Sequence, residues 1–441
     1  MSNLESKEIS AQDPSVKEVF KNGDYFKLWI AQFISNVGTN ISLLVLPLFI
    51  FQYTGSTYWL GIISLAEFIP ILIISPIAGI FVDSHDRKKI MIVSDLLNML
   101  LIILVPILIT FDTAFDEIYI LIGVTVLVFL GSTVNRFFMP ARAASIPRIV
   151  KQDEIGIAVS ISQTTYQLIT VLGPIFGAMI ATYFGYRLAF IVDGSTFLFS
   201  AIVALLIKTN LKPLENLTKA GDEKPSLLLG TKKMMQIKSL RFLVIAFSFL
   251  IFANASINSF LVAFVKSDLH MTDIEFGTTI TILGGSGVLT GIIMSKKISQ
   301  VRRPIMLTVV GFLLCGISFL PIIIVTQAWQ LYVIFFFVGS FNLLINIPVN
   351  TIFLRDTTDN IRGQVFSALN MAISLFTILG ILYGVIFAPI IGLREIYFLN
   401  AIIFVIVALI GIFYLLFIEN LDMPQVSYET NQTNLKIESL N

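Results

Sequence analysis

The sequence predicts an all-α membrane protein with twelve transmembrane helices arranged as two six-helix pseudo-repeats. Three observations carry this. Of the 441 residues, 56% are hydrophobic and only 13% charged, against about a quarter charged in a soluble domain. Twelve apolar runs, at roughly 26–52, 59–81, 90–111, 117–138, 155–183, 187–207, 241–265, 275–295, 304–326, 329–353, 364–389 and 395–418, are long enough at about 1.5 Å per residue to cross a hydrocarbon layer about 30 Å thick. The basic residues are also one-sided. An even number of spans puts both termini on one side. With the tails and even-numbered loops in the cytoplasm, only Arg187, Lys266 and Arg394 of the 29 Lys and Arg fall on the other side. No Lys or Arg is then expected in the membrane interior, where a cation is costly.

In order along the chain, residues 1–24 mix acids and lysines without a short apolar core and cleavage site, so a cytosolic tail is expected there. A first six-helix bundle follows over 25–207. Residues 208–240 are polar, carry Pro213 and Pro225, and read as a cytoplasmic linker. A second bundle covers 241–418, and 419–441 is expected as a second cytosolic tail. This describes a multi-pass protein of the cell membrane with both termini cytoplasmic. Trp29, Trp59 and Trp329 stand at span starts, the depth of a membrane interface. Arg87-Lys88 and Val134-Asn135 with Phe138 return 215 residues later as Arg302-Arg303 and Val349-Asn350 with Phe353, which suggests an internal duplication. The single cysteine, Cys315, forms no intrachain disulfide. His85 and His270 are far apart, so no metal site is expected.

Polar residues at helical spacing mark faces turned away from lipid. Such stripes carry Gln32, Asn36, Thr39 and Asn40 in the first span, Gln163, Gln167 and Thr170 in the fifth, and Asn254 and Asn258 in the seventh. Asn342, Asn346 and Asn350 follow in the tenth, and Asn370, Ser374 and Thr377 in the eleventh. A substrate cavity lined by Gln32, Asn36, Asn40, Asn254, Asn258, Asn342, Asn346 and Asn370 is expected, most firmly on the tenth span; helix-to-helix hydrogen bonding is the alternative use of such residues. The ninth and twelfth spans are almost wholly apolar.

Two acids cannot be assigned to loops or helix ends. Glu67 lies within the second span, followed by Pro70. An ionised carboxylate there costs about 2.5 to 3.5 kcal/mol unless paired or protonated. With no basic residue nearby in sequence, burial favours its neutral form, as a proton carrier requires. Asp193, in the sixth span, is a second candidate for proton coupling, although Arg187 is near enough in sequence to neutralise it, which favours a structural role.

The link Gly79-Ile-Phe-Val-Asp-Ser-His-Asp-Arg-Lys-Lys89 joins the second and third spans. A glycine four residues before Asp83 permits close approach of a neighbouring helix, and the loop resembles that between helices 2 and 3 of major facilitator superfamily transporters. The resemblance implies the major facilitator fold, with helices 1, 4, 7 and 10 around a central cavity and 3, 6, 9 and 12 outside. It also implies a conformational latch of Gly79, Asp83, Asp86, Arg87, Lys88 and Asp95, with Lys89 beside them, joined by Arg136 and reaching the start of helix 11. Ser84 and Asp86 depart from the usual basic residue and glycine. Gly173-Pro174-Ile175-Phe176-Gly177-Ala178 is similar to the Gly-Pro-x-x-Gly-Gly element of exporters in this superfamily, with Ala178 for the last glycine. Small residues allow tight packing there and proline allows bending. With Thr54-Gly55-Ser56, the Pro140-Ala141-Arg142 to Pro147-Arg148 segment and Leu172-Gly173-Pro174, the chain looks like the macrolide-efflux and enterobactin-exporter branch.

The expected function is therefore secondary export of amphipathic small molecules, as macrolide-type drug/H+ antiport by alternating access. Export of siderophores or other endogenous metabolites, or a facilitator or channel, are the alternatives. No phosphate loop or nucleophile-and-base arrangement points to an ATP-driven pump or an enzyme. The expected partners are the amphipathic substrate, protons and the lipid bilayer, with no nucleic acid, no cofactor beyond the proton-motive force, and a monomeric state.

Overall fold

The computed structural model describes residues 15–111, 115–212, 227–294 and 303–418. Residues 1–14, 213–226 and 419–441 of the expected tails and linker lie outside the described residues, as does Arg302 of the repeat. Among the described residues, twelve helices are long and apolar enough to cross a membrane. They are α1 (Gly23–Thr54), α2 (Thr57–Ser84), α3 (Arg87–Ile109), α4 (Glu117–Ile149), α5 (Ile155–Phe184), α6 (Tyr186–Leu205), α7 (Lys238–Ala263), α8 (Asp273–Met294), α9 (Pro304–Phe319), α10 (Ala328–Arg355), α11 (Asp359–Ile391) and α12 (Leu393–Phe413). Two short helices, Val16–Lys21 and Leu227–Gln236, flank them. No strand occurs among the described residues.

Local chemistry sets several of the boundaries. Asn22 Oδ1 accepts from the amides of Asp24 and Tyr25 at 3.1 and 3.2 Å and starts α1. Asp86 Oδ1 does the same for α3, taking the Lys88 amide at 3.0 Å. Gly185 and Gly392 adopt positive φ, at 84° and 95°, so α5 turns into α6 and α11 into α12 within a single residue. One boundary differs from expectation: α4 continues past 138 to Ile149, through Pro140 and Pro147. Buried Ala141, Ile146 and Ile149 pack there with Val19, Tyr25, Leu28 and Ala158. That burial outweighs the backbone bonds the prolines remove.

The halves repeat one packing plan. In the first, α1 packs on α5 and α6, α3 on α4 and α6, and α2 on α4; adding six to every number gives the pairs of the second. Between the halves, α2 meets α11 and α5 meets α8, pairs exchanged by the same shift. A second sequence offset, of 207, relates Gly185, Arg187 and Asp193 to Gly392, Arg394 and Asn400. It went unread in the sequence because the matched residues are scattered through apolar runs. Exposed apolar stripes such as Ile73, Ile77 and Ile80 on α2 and Ile406, Leu409, Ile410 and Phe413 on α12 suit contact with lipid.

The close approaches between halves lie at the end where Gly55, Gly185 and Gly392 turn, here called the hairpin end. A Cβ on Gly61 of α2 would meet Val385 and Phe260, and one on Gly277 of α8 would meet Ala178 at 2.6 Å and the Pro174 carbonyl at 3.0 Å. Toward the terminal end, where the chain enters α1 and leaves α12, a Cβ on Gly79 or Gly363 would meet nothing within 4 Å. Gly79 therefore does not serve a close helix approach here, contrary to expectation, because no neighbouring helix comes within reach of its Cβ position.

The glycine contacts predict opposite responses. Gly38 of α1 lies where a Cβ would come within 2.6 Å of Asp193 Oδ1 and 3.0 Å of Asp193 Cα on α6. Gly38→Ala should cost about 1–3 kcal/mol and lower the thermal midpoint of the detergent-solubilised protein. Gly79→Ala should leave the midpoint unchanged or raise it.

Candidate functional site

A cavity of about 190 Å³ lies inside the first half, and Glu67, Arg136, Asp193, Asn98, Ser42 and Thr39 are among its walls. Ser132 of α4 donates to the Glu67 carbonyl at 2.5 Å, and one turn on, Arg136 Nε donates to the Ser132 carbonyl at 3.3 Å. This brings the Arg136 guanidinium close enough to the Glu67 carboxylate for their charges to act on each other. Two expectations are corrected. A basic residue does stand within the membrane region, and Glu67 has a cationic neighbour, because α4 runs beside α2 and brings together residues 69 positions apart in sequence.

Asp193 is 2% exposed and lines the same cavity, whereas Arg187 is exposed. Six residues along a helix turn a side chain well away from its starting face, so Arg187 does not neutralise Asp193, again contrary to expectation. Ser42 lies near Asp193 but not in hydrogen-bonding geometry; Asp193 Oδ1, Ser42 Oγ and Asn98 Nδ2 are buried without a hydrogen-bond partner. A polar space of this size suits water. In the second half the counterpart of Asp193 is Asn400, whose Nδ2 donates to Ser256 Oγ at 2.7 Å. Titratable chemistry thus stands at this position in one half and a neutral amide in the other.

The expected latch divides. Lys88 Nζ donates to the carbonyls of Leu205 and Ile207 at 2.9 and 2.7 Å, and Arg87 Nη1 to that of Ala144 at 3.3 Å, so these cations brace α3 against the ends of α6 and α4. Asp86 caps α3, and Asp83 is exposed. Asp95 is not part of this cluster: it is 1% exposed and accepts from Ser200 Oγ of α6 at 2.6 Å. Nor is Arg136, which stands 13 residues before the end of α4, roughly 20 Å along the helix.

A second cavity, of about 500 Å³, lies in the second half. Asn254 and Asn258 of α7, Asn342 of α10 and Gln167 of α5 bring amides to it, while Cys315 and Phe319 of α9 and Phe404 of α12 line it with apolar surface. Asn258 Nδ2 donates to Asn254 Oδ1, and Asn346 Nδ2 to Asn342 Oδ1, each at 2.6 Å. The other expected cavity residues lie elsewhere. Gln32 and Asn40 are each 5% exposed and packed between helices, Asn40 against α5 where a Cβ on Gly173 would come within 2.6 Å of its Cβ. Asn36 accepts through its carbonyl from Asn40 Nδ2 at 2.9 Å, and Asn370 is exposed outside both cavities. Gly177 faces the Ile41 backbone of α1, while Pro174 and Ala178 face α8, so one stretch of α5 packs both within its half and across to the other. Sequence reading missed Ser42, Asn98 and the walls from α9 and α12. The glycines Gly284, Gly287 and Gly291 on one side of α8 were the available sign of a closely packed face, against Val171 of α5 and against α10.

At the hairpin end one hydrogen bond joins the halves and ion pairs brace the second half behind it. Tyr186 Oη of α6 donates to Asp273 Oδ2 of α8 at 2.8 Å, and Lys266 pairs with the other oxygen of Asp273 while donating to the Met271 carbonyl at 2.9 Å. Arg394 pairs with Asp268 at 3.3 Å. Two of the three cations that the charge pattern left on this side are therefore held in ion pairs.

Two bundles with one packing plan, polar cavities in each and a closure at one end define a multi-pass membrane transporter of small molecules. Residues 28–380 match the Major Facilitator Superfamily, and the chain belongs to it. It is 22% identical over 396 residues to macrolide efflux protein A of Streptococcus pyogenes, covering 88% of this chain and 94% of that protein. It is likewise 22% identical over 385 residues to multidrug resistance protein MdtG of Salmonella arizonae, covering 85% and 90%. Among solved structures it resembles an inward-facing bacterial homologue of ferroportin, with TM-score 0.71, 11% identity, and 90% and 99% of the two chains covered. It also resembles an inward-facing bacterial homologue of the lysosomal transporter Spinster, with TM-score 0.70, 12% identity, and 89% and 96% covered.

The Tyr186–Asp273 bond is a direct hydrogen bond between the halves at the hairpin end. In a Cys315→Ala background, spin labels at positions 57 and 390 report the spacing of α2 and α11 there. Tyr186→Phe should raise the long-distance population by up to about tenfold, as the loss of one hydrogen bond implies. Asp273→Asn, which also removes the Lys266 pair, should raise it further. Unchanged distance distributions in both variants would show that closure does not depend on these contacts.

Proposed function

We propose that this transporter exports amphipathic, macrolide-type small molecules from the cell in exchange for protons, by alternating access. The observation that carries the reading is the cavity of the first half, where Glu67 and Asp193 share walls with Arg136. Two carboxylates against one guanidinium leave room for a proton to come and go within a small net charge. A proton on Glu67 cancels its attraction to Arg136, so the packing of α2 on α4 depends on the proton load. The amide-lined cavity of the second half takes the substrate, and the similarity to macrolide efflux protein A supports the choice of substrate class.

The positive-inside rule assigns the terminal end to the cytoplasm. The Tyr186–Asp273 bond between the halves then lies on the outer side, which supports a conformation that takes substrate from the cytoplasm. A proton moving inward releases about 2.3 kcal/mol per 100 mV, enough for roughly a 50-fold substrate gradient per proton. ATP is not needed.

Cells carrying the protein should accumulate less labelled macrolide than cells without it, and a protonophore should abolish the difference. Equal accumulation with and without the protein would sink the macrolide assignment. A difference that survives the protonophore would sink proton coupling. Glu67→Gln should keep the protein in the membrane but uncouple export from the gradient; proton-driven export at the unaltered rate in this variant would remove Glu67 from the role. Arg136→Gln should lower export by more than tenfold, and combining it with Glu67→Gln should cost less than the two single effects together.

A further inference from the structure

The cavity of the second half is not accounted for by helix packing. Protein interiors rarely leave voids larger than a water molecule, whereas this space of about 500 Å³ falls within the range of small-molecule pockets. It extends from the amides of α7 and α10 into the core of its own half, as far as Cys315 on α9 and Phe404 on α12. Gly284, Gly287 and Gly291 of α8 and Gly339 of α10 are among its walls, and a Cβ on them would meet Val171 of α5, the Gly339 carbonyl, Leu343 and the Leu283 carbonyl, so they set the close packing of α8 on α5 and α10 at its edge.

Its chemistry is specific. Among the described residues no carboxylate, ammonium or guanidinium lines it, and a charged group entering there unpaired would cost several kcal/mol. Asn254, Asn258 and Asn342 bring amides to its polar side. Asn258 Nδ2 donates to Asn254 Oδ1, and Asn342 Oδ1 accepts from Asn346 Nδ2 outside the lining, which leaves Asn258 Oδ1 and the amino groups of Asn254 and Asn342 for hydroxyl and carbonyl groups. Phe319, Phe335 and Phe404 supply apolar surface deeper in. A ligand that fits has an uncharged, mostly aliphatic body edged with hydroxyl and carbonyl groups.

We propose that this cavity is the recognition pocket for the uncharged lactone body of a macrolide, with Asn254, Asn258 and Asn342 reading its oxygen atoms and the three phenylalanines covering its apolar face. The choice of ligand rests on the export reading above; the pocket itself rests on its volume and lining. Specificity and ion coupling then reside in different halves, the amides in the second and the carboxylates in the first.

The chain contains one cysteine, and it lines the pocket, so the unmodified protein carries its own reporter. Full-length protein in lipid nanodiscs is treated with methyl methanethiosulfonate, a small uncharged thiol reagent, and modification is followed by intact mass, with denatured protein as the fully reactive control. Cys315 should react in the folded protein, and saturating erythromycin should slow the reaction at least about fivefold. Val288→Phe, which places a ring in the cavity, should slow the reaction without ligand and abolish the effect of erythromycin. Asn342→Leu should leave the rate without ligand unchanged and raise the erythromycin concentration needed for protection by up to about tenfold.

Failure of Cys315 to react in the folded protein, or a rate indifferent to erythromycin, would overturn the proposal. No ion gradient enters this experiment. Protection without proton-driven export would sink the coupling mechanism alone, and macrolide export without protection would sink the pocket alone.

Discussion

The bilayer offers no hydrogen bonds and little dielectric screening, and each polar side chain in this fold is placed under that constraint. Structural polar groups respond by pairing. Asp95 accepts from Ser200, Asp356 accepts from Ser239 at 2.5 Å and pairs with Arg355 at 2.6 Å, and Asn400 donates to Ser256. The bonds to Ser200, Ser239 and Ser256 each tie one helix of a bundle, or its cap, to another. Glu67, Arg136 and Asp193 are arranged differently, since all three line one cavity; Asp193 Oδ1, like Asp95 Oδ1 and Asn400 Oδ1, is buried without a hydrogen-bond partner. It is this shared lining, and not the unpaired oxygen, on which the proposed ion coupling rests.

Near-symmetry between the halves makes their differences informative. The same helix pairs form in both, and α2 with α11 and α5 with α8 join them by exchange-related contacts. At equivalent places on α6 and α12, one half carries Asp193 and the other Asn400, alike in shape but not in charge. The first half holds a small charged cavity, the second a larger uncharged one bordered by amides and aromatic rings. A rocking motion about the hairpin-end contacts would change the exposure of both together, which is what the proposed exchange of a proton for a substrate requires.

Much of this was legible in the chain before folding. Twelve apolar runs, the one-sided cations and the isolated acid at position 67 all follow from the cost of placing polar groups in lipid, and that cost is paid residue by residue. The stripe at Asn342 and Asn346 was legible for the same reason, and both form one of the amide pairs of the second half. Gln32 and Asn40 obeyed the same rule but are packed between helices, because periodicity separates lipid from not-lipid and does not separate a cavity from a helix contact.

What the sequence determined by itself is the set of helices and the residues barred from lipid, since both depend on local composition and on a solvent that is the same everywhere along the span. Only the tertiary structure decided which of those residues meet. Burial of Ala141, Ile146 and Ile149 carried α4 through its two prolines, and the α2–α4 contact set Arg136 beside Glu67, 69 positions away. The absence of a side chain at Gly38 let α6 close on α1 over Asp193. The second cavity exists only where α5, α7, α8, α9, α10 and α12 meet. These are matters of which surfaces fit, and fit is a property of pairs of helices that no single segment contains.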